Sequence, residues 1–148
     1  MTETVSDTAA PALNDKVDDA TGDLNAALGI VRTLYMDAEK GRAALECKAE
    51  MRMCHSGGVV QGGFVTGWID AAMARAVMAA TDFAVLPMSL EIKISFFRPA
   101  APGLHVAEAW IERRGRSTAF VEGELRDAAG EVLAKGTSTI RLLPRPAP

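Results

Sequence analysis

Histidine and cysteine are scarce in this chain of 148 residues: His55 and His105, Cys47 and Cys54. Their spacing matches no metal-ligand pattern, which argues against a structural zinc site. The cysteines lie seven residues apart in a stretch that alternates like one strand, so they point to opposite faces and no disulfide between them is expected. Long apolar runs are missing too. Nothing approaches the roughly 18 residues that a membrane-spanning helix needs. There is no basic excess: 16 Lys and Arg face 19 Asp and Glu, for a net charge of −3, which argues against a nucleic-acid partner. The first residues, rich in Thr, Asp and Ala, lack the basic and apolar regions of a signal peptide. The expectation is a cytoplasmic protein with no membrane or nucleic-acid partner. Its length suits one domain with a sizeable core, and no internal repeat divides it.

The chain divides into a flexible arm over residues 1–23, a single domain over 24–143 and a short Pro-rich tail over 144–148. Residues 23–34 carry Asp23 as a candidate N-cap and Leu24, Ala27, Leu28 and Val31 at helical spacing. Residues 44–54 alternate: Leu45, Cys47, Ala49, Met51 and Met53 share one face, and Glu46, Lys48, Glu50 and Arg52 the other. A glycine-rich loop covers 55–63. Residues 63–81 read as one long helix, dominated by Ala, Met, Ile and Trp and free of proline. Strands follow from Pro87 to about 96, then over 104–113, 118–126 and 132–142. In the first of these, Leu90, Ile92, Ile94 and Phe96 alternate with Ser89, Glu91, Lys93 and Ser95. The fold class is α+β. The long helix is apolar on nearly every side, so an antiparallel sheet must wrap around it. Exposed sheet edges and an apolar outer surface then call for a second copy of the chain.

"GGVVQGGFVTGWIDAAMARAV", residues 57–77, concentrates the chemistry. Glycines in such a loop serve turns with positive φ. Gly62 and Gly63 have a second use. They open the helix, where the first N–H groups lack intrahelical partners and the dipole favours negative charge. An oxygen gaining charge in a reaction would be stabilised there. Asp70 lies too deep in the helix to cap it, and aspartate is a poor helix-interior residue. Arg75, five residues on, does not share its face well. Two readings stand: a solvated or interface-paired carboxylate, or a general base or nucleophile in a semi-apolar cleft.

That segment, with "MSLEIKISFFRPAAPG" and "ERRGRSTAFVEGELRDAAGEVLAKGTST", resembles the hotdog-fold acyl-CoA thioesterases. The likeness is to the PaaI-type branch of the 4-hydroxybenzoyl-CoA thioesterase superfamily, and it covers residues 28–142. It implies a hotdog fold and thioester hydrolysis with no cofactor beyond the coenzyme A of the substrate. It implies active sites at the interface of a homodimer or a dimer of dimers. Gly62 matches the glycine whose amide polarises the thioester carbonyl, and Asp70 matches the catalytic carboxylate, supplied by the opposite subunit. Ser89 matches a Thr or Ser that holds the attacking water. Arg114 and Arg116 match a basic turn near the CoA phosphates, although a solvated turn explains them equally well. Gln61 stands where the family carries histidine. It can donate and accept hydrogen bonds but cannot carry a proton. His55 stands where asparagine is common, and it either reaches toward the thioester or is an ordinary loop histidine.

Gln61 is expected to orient the carbonyl or the leaving thiolate. Gly63 and Phe64 border the substrate. Phe64, Trp68, Met73 and Phe83 are candidate pocket residues, pointing weakly to an aromatic or medium-chain acyl group. Two other readings stand beside hydrolysis. A non-catalytic binder of acyl-CoA or another small ligand would keep the fold without the reaction. A hydratase or dehydratase would need a histidine base that the glycine loop does not carry.

Overall fold

The computed structural model describes residues 13–146. Two short helices lead in, α1 (Leu13–Ala20) and α2 (Gly22–Leu28), followed by strands β1 (Ile30–Asp37) and β2 (Arg42–Ala49). A single 3-10 turn (Met51–Met53) and a small hairpin, β3 (Cys54–His55) and β4 (Val59–Val60), precede the long helix α3 (Gly62–Ala80). Four long strands complete the chain: β5 (Val85–Phe96), β6 (Gly103–Arg114), β7 (Thr118–Asp127) and β8 (Val132–Pro144). One six-stranded antiparallel sheet, in the order β1-β2-β6-β7-β8-β5, curls around α3. This is the architecture expected from the apolar helix. No helix among the described residues is long and apolar enough to cross a membrane.

Helix α3 buries Val65, Trp68, Ile69, Ala72, Met73, Ala76 and Val77, the three- and four-residue spacing of a helix face set against a sheet. Two glycines let it come close. Gly123 of β7 and Gly136 of β8 are directly paired across the ladder. A Cβ on Gly123 would lie 2.9 Å from Ile69. A Cβ on Gly136 would lie 2.6 Å from Ile94 and 3.3 Å from Ile69. Together they form a dent that seats Ile69.

Several sequence expectations are corrected here. Of the arm expected over 1–23, residues 1–12 lie outside the described residues, but from Leu13 the chain is helical and buries Val17 against the domain. The helix expected over 23–34 ends at Leu28. Gly29 takes the left-handed conformation (φ 71°) as C-cap, and the chain turns into β1. The strand expected over 44–54 stops at Ala49, where its ladder with β6 ends opposite Gly103. Met51, expected on the buried face, is 60% exposed. In the expected tail, Pro144 still pairs with Val85, and Arg145 N–H donates to the Ala84 carbonyl at 3.1 Å. Residues 147–148 lie outside the described residues.

The two outer strands of the sheet differ. At β1, Asp18 of α1 accepts the Thr33 N–H at 2.9 Å and the Thr33 hydroxyl at 2.7 Å. Arg75 of α3, 3% exposed, donates from Nε to Thr33 Oγ1 at 2.8 Å and from Nη2 to Asn25 Oδ1 at 3.1 Å. Its guanidinium lies 3.7 Å from Asp18. This network fastens α1 and α2 along β1 and occupies an edge amide there. Strand β5 pairs only with β8 and leaves its other side open, with Met88 (50%) and Leu90 (60%) exposed.

Two outcomes follow. Gly123→Val should lower the unfolding free energy by about 1–3 kcal/mol through overpacking against Ile69, read as a shift of the urea midpoint. Asp18→Ala should cost about 1–3 kcal/mol in the same assay, because buried Arg75 loses its counter-ion and the Thr33 amide its acceptor.

Candidate active site

Gln61 caps α3. Its side-chain Oε1 accepts the Gly63 N–H at 2.7 Å. The expectation that both Gly62 and Gly63 present bare amides is therefore corrected. Gly63 is spent on the cap, and Gly62 is left with a free N–H among the described residues. Because Oε1 is committed, the free end of Gln61 is its NH2 group, a donor.

Asp70 lies two turns further along α3 and is half-buried. Its Oδ1 accepts the Ser89 hydroxyl at 2.7 Å. Regular alternation along β5 would turn Ser89 outward with Glu91 and Lys93. A β-bulge prevents this: Ser89 pairs with Ile140 and Glu91 with Thr139, leaving Leu90 as the extra residue. The phase of the strand shifts by one, and Ser89 joins the inner face that carries Ile92 and Ile94. No basic side chain forms an ion pair with Asp70 among the described residues. Arg75 is turned to the other side of the helix, into the network at β1.

Eight residues separate Gly62 from Asp70 on one helix, a rise of about 12 Å at 1.5 Å per residue. Within one chain the free amide and the carboxylate cannot both touch one carbonyl group. Ser89 is brought to Asp70, and Gln61 and Gly63 to Gly62, as two separate half-sites.

The remaining candidates are dispersed. His55 is exposed on β3, with Nδ1 3.0 Å from Ser56 Oγ. Phe64 is half-buried, its ring centroid 6.5 Å from that of Trp68. Arg114 donates to the Ala80 carbonyl at 3.0 Å, at the C-terminal end of α3 and away from Gly62. Arg116 is exposed in the β6–β7 turn. Trp68 and Met73 are fully buried in the core and cannot line a pocket, while Phe83 follows the C-terminus of α3. Phe96 was not among the residues expected at the start of the helix. Its ring packs on Gly62. The sequence pattern put it on the inner face of its strand, but nothing in the pattern says which residue it meets.

Two clefts, of about 340 and 440 Å³, flank His105 and Asp127, remote in sequence from both half-sites. His105 is 4% exposed, stacks on Trp68 at 6.0 Å and donates from Nδ1 to the Gly103 carbonyl at 3.1 Å. Burial pushes this imidazole below its ordinary value near 6.5, against the opposing pull of the Gly103 carbonyl and Asp127.

A six-stranded antiparallel sheet of this topology wrapped on one long helix defines the hotdog fold. A family model described as the thioesterase superfamily matches residues 57–134, which hold both half-sites. The chain belongs to the thioesterase superfamily. A protein of Saccharolobus solfataricus named as an esterase is 32% identical over 108 residues, 73% of this chain and 76% of that one. A thioesterase structure from Ralstonia eutropha, titled a phenylacetic acid degradation-related protein, superposes with a TM-score of 0.75 at 32% identity, covering 80% of this chain and 89% of that one. The Escherichia coli PaaI protein of the phenylacetic acid degradation operon shares the fold, with a TM-score of 0.78 at 21% identity over 88% of this chain and 91% of that one. The PaaI-type likeness read from the sequence is borne out.

The sign of the His105 shift fixes a pH dependence. Folding favours the neutral ring, so its contribution is present above pH 6.5 and is lost as pH falls through the lower folded-state value. The urea midpoint should fall between pH 7 and pH 5, and His105→Gln should flatten that slope.

Proposed function

We propose that this chain hydrolyses acyl-CoA thioesters to the free acid and CoA, in a site completed by a second copy of the same chain. The observation that carries this reading is the pairing of Ser89 with Asp70 on a helix whose other charged side chain, Arg75, is turned away, the same helix that opens on the Gly62 amide. The 12 Å rise between the half-sites requires the carboxylate and the amide to come from different chains. Strand β5 offers the open edge for that pairing, whereas β1 is fastened under α1.

The substrate carbonyl oxygen accepts the Gly62 N–H, aided by the α3 dipole. The NH2 group of Gln61 orients the carbonyl or the leaving thiolate. Ser89 donates to Asp70 Oδ1, which fixes the carboxylate and leaves Oδ2 to act. Asp70 takes a proton from water as the water adds to the carbonyl carbon, or attacks that carbon itself and is released by water. Either route consumes one water and breaks the C–S bond. Gln61 stores no proton, so the proton bound for the thiolate comes from Asp70 or solvent. In this reading exposed Arg116 would meet the CoA phosphates, whereas Arg114 serves the end of α3.

Asp70→Asn should lower kcat at least a hundredfold on a panel of acyl-CoAs while acyl-CoA binding persists. Gly62→Pro removes the amide proton at the first helical position, where no helix hydrogen bond is lost, and should lower kcat about 10²–10³-fold, whereas Gly62→Ala, which presses on the Phe96 ring in the same way but keeps the amide, should lose far less. Refolding the two inactive variants together should restore turnover, because a mixed pair holds one intact site. Full activity of Asp70→Asn would refute the role of the carboxylate, a wild type that binds acyl-CoA without turnover would leave a binding protein, and no recovery on mixing would refute the two-chain site.

A further inference from the structure

Phe96 ends β5 on the inner face that carries Ile92 and Ile94. A Cβ built on Gly62 would meet the ring Cζ at 3.1 Å and Cε1 at 3.4 Å. The ring therefore lies against the Cα next to the free amide. In the first turn of a helix the Cβ direction and the N–H both lean toward the N-terminus. Ring and amide thus border the same space. Ile92 and Ile94 pack onto the core, but Phe96 is 55% exposed. One side of the ring rests on Gly62 and the rest is open.

We infer that Phe96 is a specificity-determining residue: the acyl carbons next to the thioester carbonyl pack on its open face while the carbonyl oxygen is held by Gly62. This rests on the thioesterase reading and adds the side chain that selects the acyl group at its α-carbon. An apolar ring favours apolar cover, and of the two groups flanking the carbonyl the acyl chain is the apolar one. The pantetheine arm carries amides and leads to a charged nucleotide, which belong in water. An acyl α-carbon whose carbonyl is held by Gly62 comes within reach of the ring. A straight acyl chain lies along the ring, whereas a methyl branch at the α-carbon meets it edge-on.

Butyryl-CoA and isobutyryl-CoA, isomers that differ only in this branch, test the assignment. The wild type should prefer butyryl-CoA. Phe96→Ala should move the ratio of kcat/KM values toward isobutyryl-CoA by roughly tenfold, the discrimination one methyl group gives in an apolar pocket. Phe96→Leu, which keeps apolar bulk and guards against a folding defect in the alanine variant, should give an intermediate ratio, and Phe96→Trp should move it the other way. N-acetylcysteamine thioesters of the same two acids should show the same shifts, since the thiol arm is not involved. An unchanged ratio with both rates falling together overturns the assignment, as does a shift seen only with CoA. A wild-type chain that hydrolyses neither these thioesters nor a panel of aromatic and medium-chain acyl-CoAs overturns the thioesterase reading; hydrolysis of the panel but of neither four-carbon isomer overturns the assignment of Phe96.

Discussion

The seat of Ile69 in the dent made by Gly123 and Gly136 governs the rest of the structure. A helix buried on most sides must approach its sheet closely, and side chains at those two strand positions would hold it off by their own radius. Once α3 is seated, its N-terminal amides and Asp70 are fixed against β5. The catalytic candidates are therefore placed by the seating of Ile69, the residue next to Asp70, against two glycines of other strands. The same packing explains why Trp68 and Met73, apolar and close in sequence to Asp70, serve only the core.

The asymmetry of the sheet edges links stability to assembly. At β1 an acidic side chain, a hydroxyl and a buried arginine use one another as partners, and the N-terminal helices are held there. Arg75 could stand as an unpaired charge in the core only at high cost, so the helices that carry Asp18 and Asn25 are part of what makes its burial tolerable. At β5 the opposite holds: an open ladder, exposed apolar side chains and a bulge. That bulge does local work as well, since it is what brings Ser89 to Asp70. Edge irregularity and site geometry are one feature of the chain.

Much of the fold was legible. The helix expected over 63–81 runs over Gly62–Ala80, and the four strands after it lie within two residues of their expected bounds. Their patterns of alternation and turn residues are strong. The N-terminal third was read less well. Val31 fits a helical spacing with Leu24, Ala27 and Leu28, but Gly29 ends the helix before it, and β1 gains its partner only from β2, which no local window contains. Met51 and Met53 continue the alternation of β2 on paper, yet the strand ends where β6 supplies no further partner. At the site, the glycine loop and the lone acid were visible as residue types. The capping of Gly63 by Gln61, the assignment of Arg114 to the end of α3, and the contact of Phe96 with Gly62 were not.

The sequence alone determined the class of fold and the residues of interest, because apolar periodicity, glycine clustering and an acid in an apolar helix are local facts that follow from side-chain chemistry. Tertiary structure decided which of those residues meet. A one-residue slip in a strand reverses the face of a side chain, and hydrogen-bond capacity already used by a neighbour is unavailable to a ligand. The cap that leaves Gly62 as the free amide is a local contact between residues two apart, but the bulge that aims Ser89 is encoded in no short window and arises from how β5 pairs with β8.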